Sequence, residues 1–198
     1  MSYNIQIELG GSPASQRIAE FCANSGLTLR YPPHVTVKTD SGMGDRRQWH
    51  PRVGQVVRTT DPFEVQIGQA AVLADRVVCM LVFPSPALQL LHKRLLGVTN
   101  ATDGDQRVAR EGDLWVPHIT LALFDSPSHT AAERADLADA AQDELAGLGS
   151  FPASSVTITC ELAGALPLSE PLPEHLAFGC GPVLGSTSQV GDTFYRAL

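Results

Sequence analysis

Basic charge is scarce in this chain: 14 Lys and Arg stand against 21 Asp and Glu in 198 residues, a net charge of −7. Without a basic stripe, counterion release cannot drive tight binding to long nucleic acid. That argues against a duplex binder and leaves a mononucleotide, a short oligonucleotide or an RNA end as a partner. The local exception, Arg46-Arg47 with Arg52 and Arg58, reads as a solvated helix face. The four cysteines are far apart and form no Cys-x-x-Cys pair, so neither a zinc knuckle nor a disulfide framework is expected. Cys79 and Cys160 fall in apolar strand patterns and read as buried, reduced thiols of a cytoplasmic protein. No His, Cys, Asp or Glu cluster has metal-ligand spacing, so no metal and no cofactor are expected. The sequence also lacks a glycine-rich phosphate loop and a Gly-x-Ser-x-Gly elbow, which argues against two common hydrolase designs. It has neither a basic, then apolar leader nor a run long enough to span a bilayer, so no membrane partner is expected. The size suits one domain or two small lobes sharing one core, and we expect a monomer.

What the chain does have is a pair of stretches that echo each other: Pro33-His34-Val35-Thr36-Val37 and Pro117-His118-Ile119-Thr120-Leu121. Successive side chains of a strand point to opposite faces, so His34, Thr36 and Lys38 share one face and Val35 and Val37 the other. His118, Thr120 and Ala122 likewise oppose Ile119, Leu121 and Leu123. Each strand therefore presents an imidazole and a hydroxyl about 7 Å apart over an apolar underside. Either copy alone is weak, since threonine favours strands and a histidine at a strand start is often structural. Two copies, both after proline, carry more weight. Two histidines around one phosphate make an acid/base pair, one taking a proton from the attacking oxygen and one giving a proton to the leaving oxygen. An ordinary imidazole pKa near 6.5 suits both tasks. Thr36 and Thr120 would donate hydrogen bonds to phosphoryl oxygens as charge develops.

The context of the two copies repeats as well. Residues 3–9 alternate as a half-buried strand, Ser12-Pro13 caps a helix through Ile18, Phe21 and Cys22, and Gly26 stops it. The His34 strand follows, then a glycine-containing loop and a weaker helical pattern over 46–58, in which Pro51 is a possible true start. Pro62-Phe63 opens another alternating strand. The order then recurs: an apolar run over 76–83 reads as a central strand, and Ser85-Pro86 caps a helix through Leu88, Leu91 and Leu95. A polar loop over 98–113 precedes the His118 strand, Thr130-x-x-Glu133 is a capping box, and 156–162 alternate as a closing strand. The histidines lie 118 − 34 = 84 residues apart, which reads as a diverged internal duplication whose lobes bring both histidine strands to one groove. Residues 167–191 are rich in proline, glycine and serine, and 171–191 are expected to be an irregular surface segment; 193–198 read as a final edge strand.

Paired His-x-Thr strands in a duplicated chain of this size resemble the two-histidine (2H) phosphoesterase superfamily, in its bacterial RNA cyclic phosphodiesterase or 2′-5′ RNA ligase-like branch. Pro62-Phe63, Arg76-Val77-Val78, Leu91-His92 and Trp115-Val116-Pro117-His118 share the likeness, which covers roughly residues 1–165. The resemblance implies an α+β fold: a single two-lobed domain over 1–198, with two mainly antiparallel sheets flanking a central groove and helices outside. It implies metal-independent opening of 2′,3′-cyclic phosphates of nucleotides or RNA ends to 2′-phosphates. His34 and His118 would be the acid/base pair, His118 as base and His34 as acid, with Thr36 and Thr120 binding phosphate. Alternative substrates are 2′-5′ linked or cyclic oligonucleotides and ADP-ribose cyclic phosphate; a nucleotide-binding module without turnover is a further class. Leu123 and Phe124 stand where members of this branch often carry an arginine, so a cation is expected from Lys38 or from 46–58. Trp115 offers stacking on a base, though core packing is the commoner use. His92, beside Lys93 and Arg94, is expected on a solvated helix face, His50 is expected to have a surface role, and His129 and His175 read as incidental.

Overall fold

In a computed structural model of the chain, residues 2–29, 31–124, 129–161 and 173–179 are described. The elements run β1 (Ser2–Glu8), α1 (Pro13–Asn24), β2 (His34–Lys38), α2 (Arg46–Arg58) and β3 (Phe63–Leu73). There follow β4 (Val77–Val82), α3 (Pro86–Thr99), α4 (Asp103–Val108), a 3-10 turn (Gly112–Leu114) and β5 (His118–Leu123). The described chain ends with α5 (Ala131–Leu145), β6 (Ser150–Ala153), β7 (Ser155–Glu161) and β8 (Glu174–Ala177). Fold class α+β is as expected.

All pairings among the described strands are antiparallel, in the order β6-β3-β4-β5-β2-β1-β7-β8. The two expected sheets are the two halves of this order, and they meet where β2 lies beside β5. There a single pair, Val35 with Ile119, joins them. The halves exchange strands. β3, last in the first strand-helix run, lies beside β4, and β7, which closes the second, lies beside β1.

Alternation determines which face of the sheet is covered. Ile5, Ile7, Val35, Val37, Ile119 and Leu121 all point to the helix side and are at most 2% exposed. There they join Ile18 and Phe21 of α1 and Leu88, Leu91 and Leu95 of α3 in one core. Each such side chain contributes about 1.5–3 kcal/mol on burial. The helices pair across the halves, α1 against α5 and α2 against α3. Their starts follow the expected caps: Ser12 accepts from the Ser15 N–H and Ser85 from the Leu88 N–H, each just before its proline, and Thr130 and Glu133 close a capping box.

Several local expectations need correction. α2 does not start at Pro51. Asp45 caps it by accepting from the Arg47 N–H, which places Trp49 in the core ahead of the proline. The polar loop after α3 contains α4, held by a capping box between Thr102 and Asp105, and the 3-10 turn. The irregular segment expected over 171–191 contains a strand at 174–177, paired with β7. The edge strand expected at 193–198 lies outside the described residues. Cys22, Cys79 and Cys160 are free and buried; burial pushes the Cys22 thiol up to about 11 and that of Cys79 up to about 12.

Candidate active site

β2 and β5 run side by side at the centre of the sheet, so both histidine strands share one place. Val35 faces Ile119 across the seam, both fully buried on the helix side. One residue further along that register, His34 lies across from Thr120 and Thr36 across from His118. The four side chains thus form a two-by-two array on the face away from the helices, all of them half-buried. In a regular antiparallel ladder the diagonal histidines sit roughly 7–8 Å apart, a spacing that lets two rings approach one phosphorus from opposite sides.

Both rings are held by the same device. His34 Nδ1–H donates to the Pro32 carbonyl at 2.8 Å, and His118 Nδ1–H donates to the Val116 carbonyl, also at 2.8 Å. In each case the carbonyl is two residues upstream. Because a carbonyl only accepts, Nδ1 carries the proton in both neutral rings, and Nε2 is the nitrogen left for chemistry. Burial pushes both imidazoles below their usual range; for His34 the Pro32 carbonyl and the Glu8 carboxylate oppose the shift, while His118 adds to it. Glu8 is the cross-strand partner of His34, whereas Leu81 is the partner of His118. The Tyr31 ring stands edge-on to His34 at 6.3 Å.

Lys38 does not reach the groove. Its ammonium is fully buried, 3.1 Å from both oxygens of Glu111 and bonded to the Thr39 and Ser41 carbonyls and the Ser41 hydroxyl. Glu111 also accepts from the Thr39 N–H at 2.6 Å, the Thr39 hydroxyl at 2.8 Å and the Ser41 hydroxyl. Burial opposes ionisation of Glu111, but the bonds from Ser41, Lys38 and Thr39 outweigh it and hold the carboxyl below its usual range.

His92 is not solvated either. It lies 2% exposed on the apolar stripe of α3, with Nδ1–H donating to the Val37 carbonyl and Nε2 accepting from the Gly112 N–H at 3.1 Å. Its ring stacks on Trp115 at 4.1 Å and 12°. Trp115, half-buried, donates its indole N–H to the Thr36 carbonyl at 3.2 Å, so it braces the backbone of β2.

A cleft of about 420 Å³ contains Thr36 and His118, with Thr39, Arg76, Arg110 and Trp115 among its walls. A larger cavity of about 850 Å³ shares Trp115 and Val116 with it, is lined by His92, Lys93, Phe83 and Gln142 among others, and holds none of the His-x-Thr residues. The smaller space is thus the one that borders the paired histidine strands. Arg76, Arg110 and Tyr31 are the neighbours that sequence reasoning does not assign to the site. All three sit in turn or coil positions without periodicity, and Arg76 reads from the sequence as the start of an apolar run that shares the family likeness, with no role at the site. The cations expected from 46–58 are elsewhere: Arg46 pairs with Glu174, and Arg52 bonds to the Gln48 carbonyl and Asn100. His50 bonds to Glu174 at 2.9 Å, His175 to the Thr157 hydroxyl at 2.9 Å, and His129 packs on Phe124. Among the described residues no three His, Cys, Asp or Glu side chains converge to hold a metal, and no helix is long and apolar enough to cross a membrane.

The family described as the 2′-5′ RNA ligase superfamily matches residues 12–159 of the chain. No curated protein matches it in sequence. In structure it is similar to TT0787 of Thermus thermophilus, with a TM-score of 0.55 and 15% identity over 89% of this chain and 97% of that one. It is also similar to E. coli LigT in its apo form, with a TM-score of 0.53 and 15% identity over 90% and 97% of the two chains. LigT complexed with phosphate gives 0.52 and 14% over 89% and 96%. At these identities the likeness is one of fold.

Proposed function

The chain belongs to the 2′-5′ RNA ligase superfamily, and from that premise we propose that it is a phosphodiesterase that opens 2′,3′-cyclic phosphates of nucleotides or RNA ends to 2′-phosphates. The observation that carries this reading is the two-by-two array of His34, Thr120, Thr36 and His118, with both histidines tethered through Nδ1.

In the reaction, Nε2 of one neutral imidazole takes a proton from water as its oxygen forms a bond to phosphorus. The other imidazole, protonated on Nε2, gives its proton to the 3′ oxygen as the bond from phosphorus to that oxygen breaks. The 2′-phosphate remains. Thr36 and Thr120 donate to the non-bridging oxygens, whose charge grows in the transition state. No metal ion is required, since positioned donors and a proton-transfer pair carry the reaction. Glu8 opposite His34 favours the protonated form of that ring, and Leu81 opposite His118 does not. This supports His34 as the acid and His118 as the base. With both pKa values depressed, the free protein holds both rings mainly neutral at pH 7, and the anionic substrate favours uptake of the one proton the acid needs.

The test is hydrolysis in EDTA of the four nucleoside 2′,3′-cyclic monophosphates, a short RNA ending in a cyclic phosphate, a 2′-5′ dinucleotide and a cyclic dinucleotide. A variant carrying both His34→Ala and His118→Ala runs beside the native protein. Turnover of the cyclic phosphates to 2′-phosphates, undiminished by the chelator and abolished in the double variant, is expected. Turnover that survives the loss of both histidines, or that needs a metal, overturns the reading.

A further inference from the structure

Among the described residues, the cleft extends from the array to one side. It takes in Thr36 and His118 but neither His34 nor Thr120, and its walls also carry Arg76 and Arg110. A phosphate seated among the four side chains lies at the edge of this space, and the body of the cleft is left for more substrate. The walls there are of two kinds: two guanidinium groups, and exposed apolar side chains such as Val108 at 89% and Leu114 at 55%. Cations beside apolar surface suit a phosphate joined to a sugar and base.

Arg110 occupies its position against its own backbone preference. Its φ is +54°, in the left-handed region where a β-carbon is crowded and glycine or asparagine is favoured. It is also exposed, and its guanidinium makes no hydrogen bond or ion pair among the described residues. The left-handed residue ends α4, where the Glu111 N–H bonds back to the Gln106 carbonyl, so the fold accounts for the backbone there but gives the guanidinium no partner among the described residues. The residues after it are fixed firmly. Glu111 is clamped by Lys38, Thr39 and Ser41, and the Gly112 N–H is held by His92. The strained backbone is therefore anchored from beneath, against the strand that carries His34 and Thr36.

We propose that Arg110, with Arg76 across the cleft, binds the phosphate on the 5′ side of the reacting nucleotide, so that an oligonucleotide end is the preferred substrate over a mononucleotide. This rests on reading the array as a cyclic phosphodiesterase site. A 2′,3′-cyclic phosphate closes the 3′ end of a strand, so the only neighbouring phosphate lies on its 5′ side. Charge agrees: the internucleotide phosphate carries one negative charge, and the exposed Arg110 guanidinium has no partner among the described residues to meet it. The pair takes the place of the cation missing at Leu123, but it serves the next phosphate along.

The experiment compares uridine 2′,3′-cyclic phosphate with a dinucleotide ending in the same group, using native protein, Arg110→Gly and Arg110→Lys. The native protein is expected to favour the dinucleotide in kcat/KM. Arg110→Gly is expected to reduce that preference by about 10–100-fold, mainly through KM, as fits loss of one hydrogen-bonded charge. Arg110→Lys restores part of it. The slope of log KM against log salt falls by about 0.7 in Arg110→Gly, the change for one phosphate contact on a single strand. Because glycine adopts this φ freely, Tm should hold or rise, which separates binding from damage to the fold. Equal losses on both substrates, or none on the dinucleotide, overturn the proposal. The dinucleotide 2′-phosphate product, titrated as a ligand, gives a readout that needs no turnover. If the native protein hydrolyses nothing, the proposed function falls, while equal affinity of native and Arg110→Gly protein for this product overturns the arginine site independently.

Discussion

β2 and β5 carry the same short pattern in unlike surroundings. Both tether the histidine through Nδ1 to the carbonyl two residues upstream, and both bury the intervening aliphatic residues. Beyond that they differ. His34 faces Glu8 and the edge of Tyr31, while His118 faces Leu81 and borders the arginine-walled cleft. β2 ends on Lys38, buried and paired, whereas β5 ends on Leu123, half exposed. In the proposed reaction, what the two strands share is what either proton-transfer group needs, and what they do not share would divide the labour: proton retention on one side, substrate contact on the other.

The most forceful way to break this comparison is to remove each histidine alone. His34→Ala and His118→Ala should each cost roughly 10²–10⁴-fold in kcat on a cyclic phosphate. With bis(4-nitrophenyl) phosphate, whose leaving group scarcely needs a proton, the loss in His34→Ala should shrink while that in His118→Ala persists. The reverse pattern exchanges acid and base. A second comparison concerns the strand ends. Lys38→Met strands a buried carboxylate and should cost about 3–5 kcal/mol by denaturant titration, whereas Leu123→Ala should stay within about 1 kcal/mol as a largely solvent-facing change. Equal effects would mean that the buried pair does not hold β2 to the 109–115 segment. The smallest effect is expected from Glu8→Gln. Glu8 raises the His34 pKa, so its loss lowers that pKa further. The acid must be protonated to work, so activity should begin to fall at a lower pH, moving the alkaline limb of kcat/KM to the acid side. An unmoved limb, or one that moves toward higher pH, would remove the argument for His34 as the acid.

Most of the frame was legible because it is written in local patterns. Period-two alternation marked β1, β3 and β7, proline after serine marked the starts of α1 and α3, and the two His-x-Thr runs marked the array. The elements that escaped lack such patterns. α4 buries none of its residues and so has no apolar stripe, and β6 is four residues long with a proline inside. His92 departs from expectation for another reason. Its neighbours Lys93 and Arg94 are polar, yet it lies four residues after Leu88 and three before Leu95, on the buried stripe itself. That spacing was available as a signal. The partner of Lys38 was not, since Glu111 is 73 residues away and nothing near Lys38 announces it. Arg76 and Arg110 belong to the same class: turns place them, and turns carry no periodicity.

The exchange of β3 and β7 between the halves has a consequence for how such a protein can be assembled at all. A unit of strand, helix, histidine strand, helix and strand cannot close its own sheet, because its last strand belongs beside the first strand of another unit. Two such units made as separate polypeptides would have to lend each other a strand in order to fold, and each would bring one histidine to a site that exists only between them. Joined in one chain, the units meet this mutual need internally at any dilution, and each is then free to change its own surroundings, as Glu8 and Arg110 illustrate.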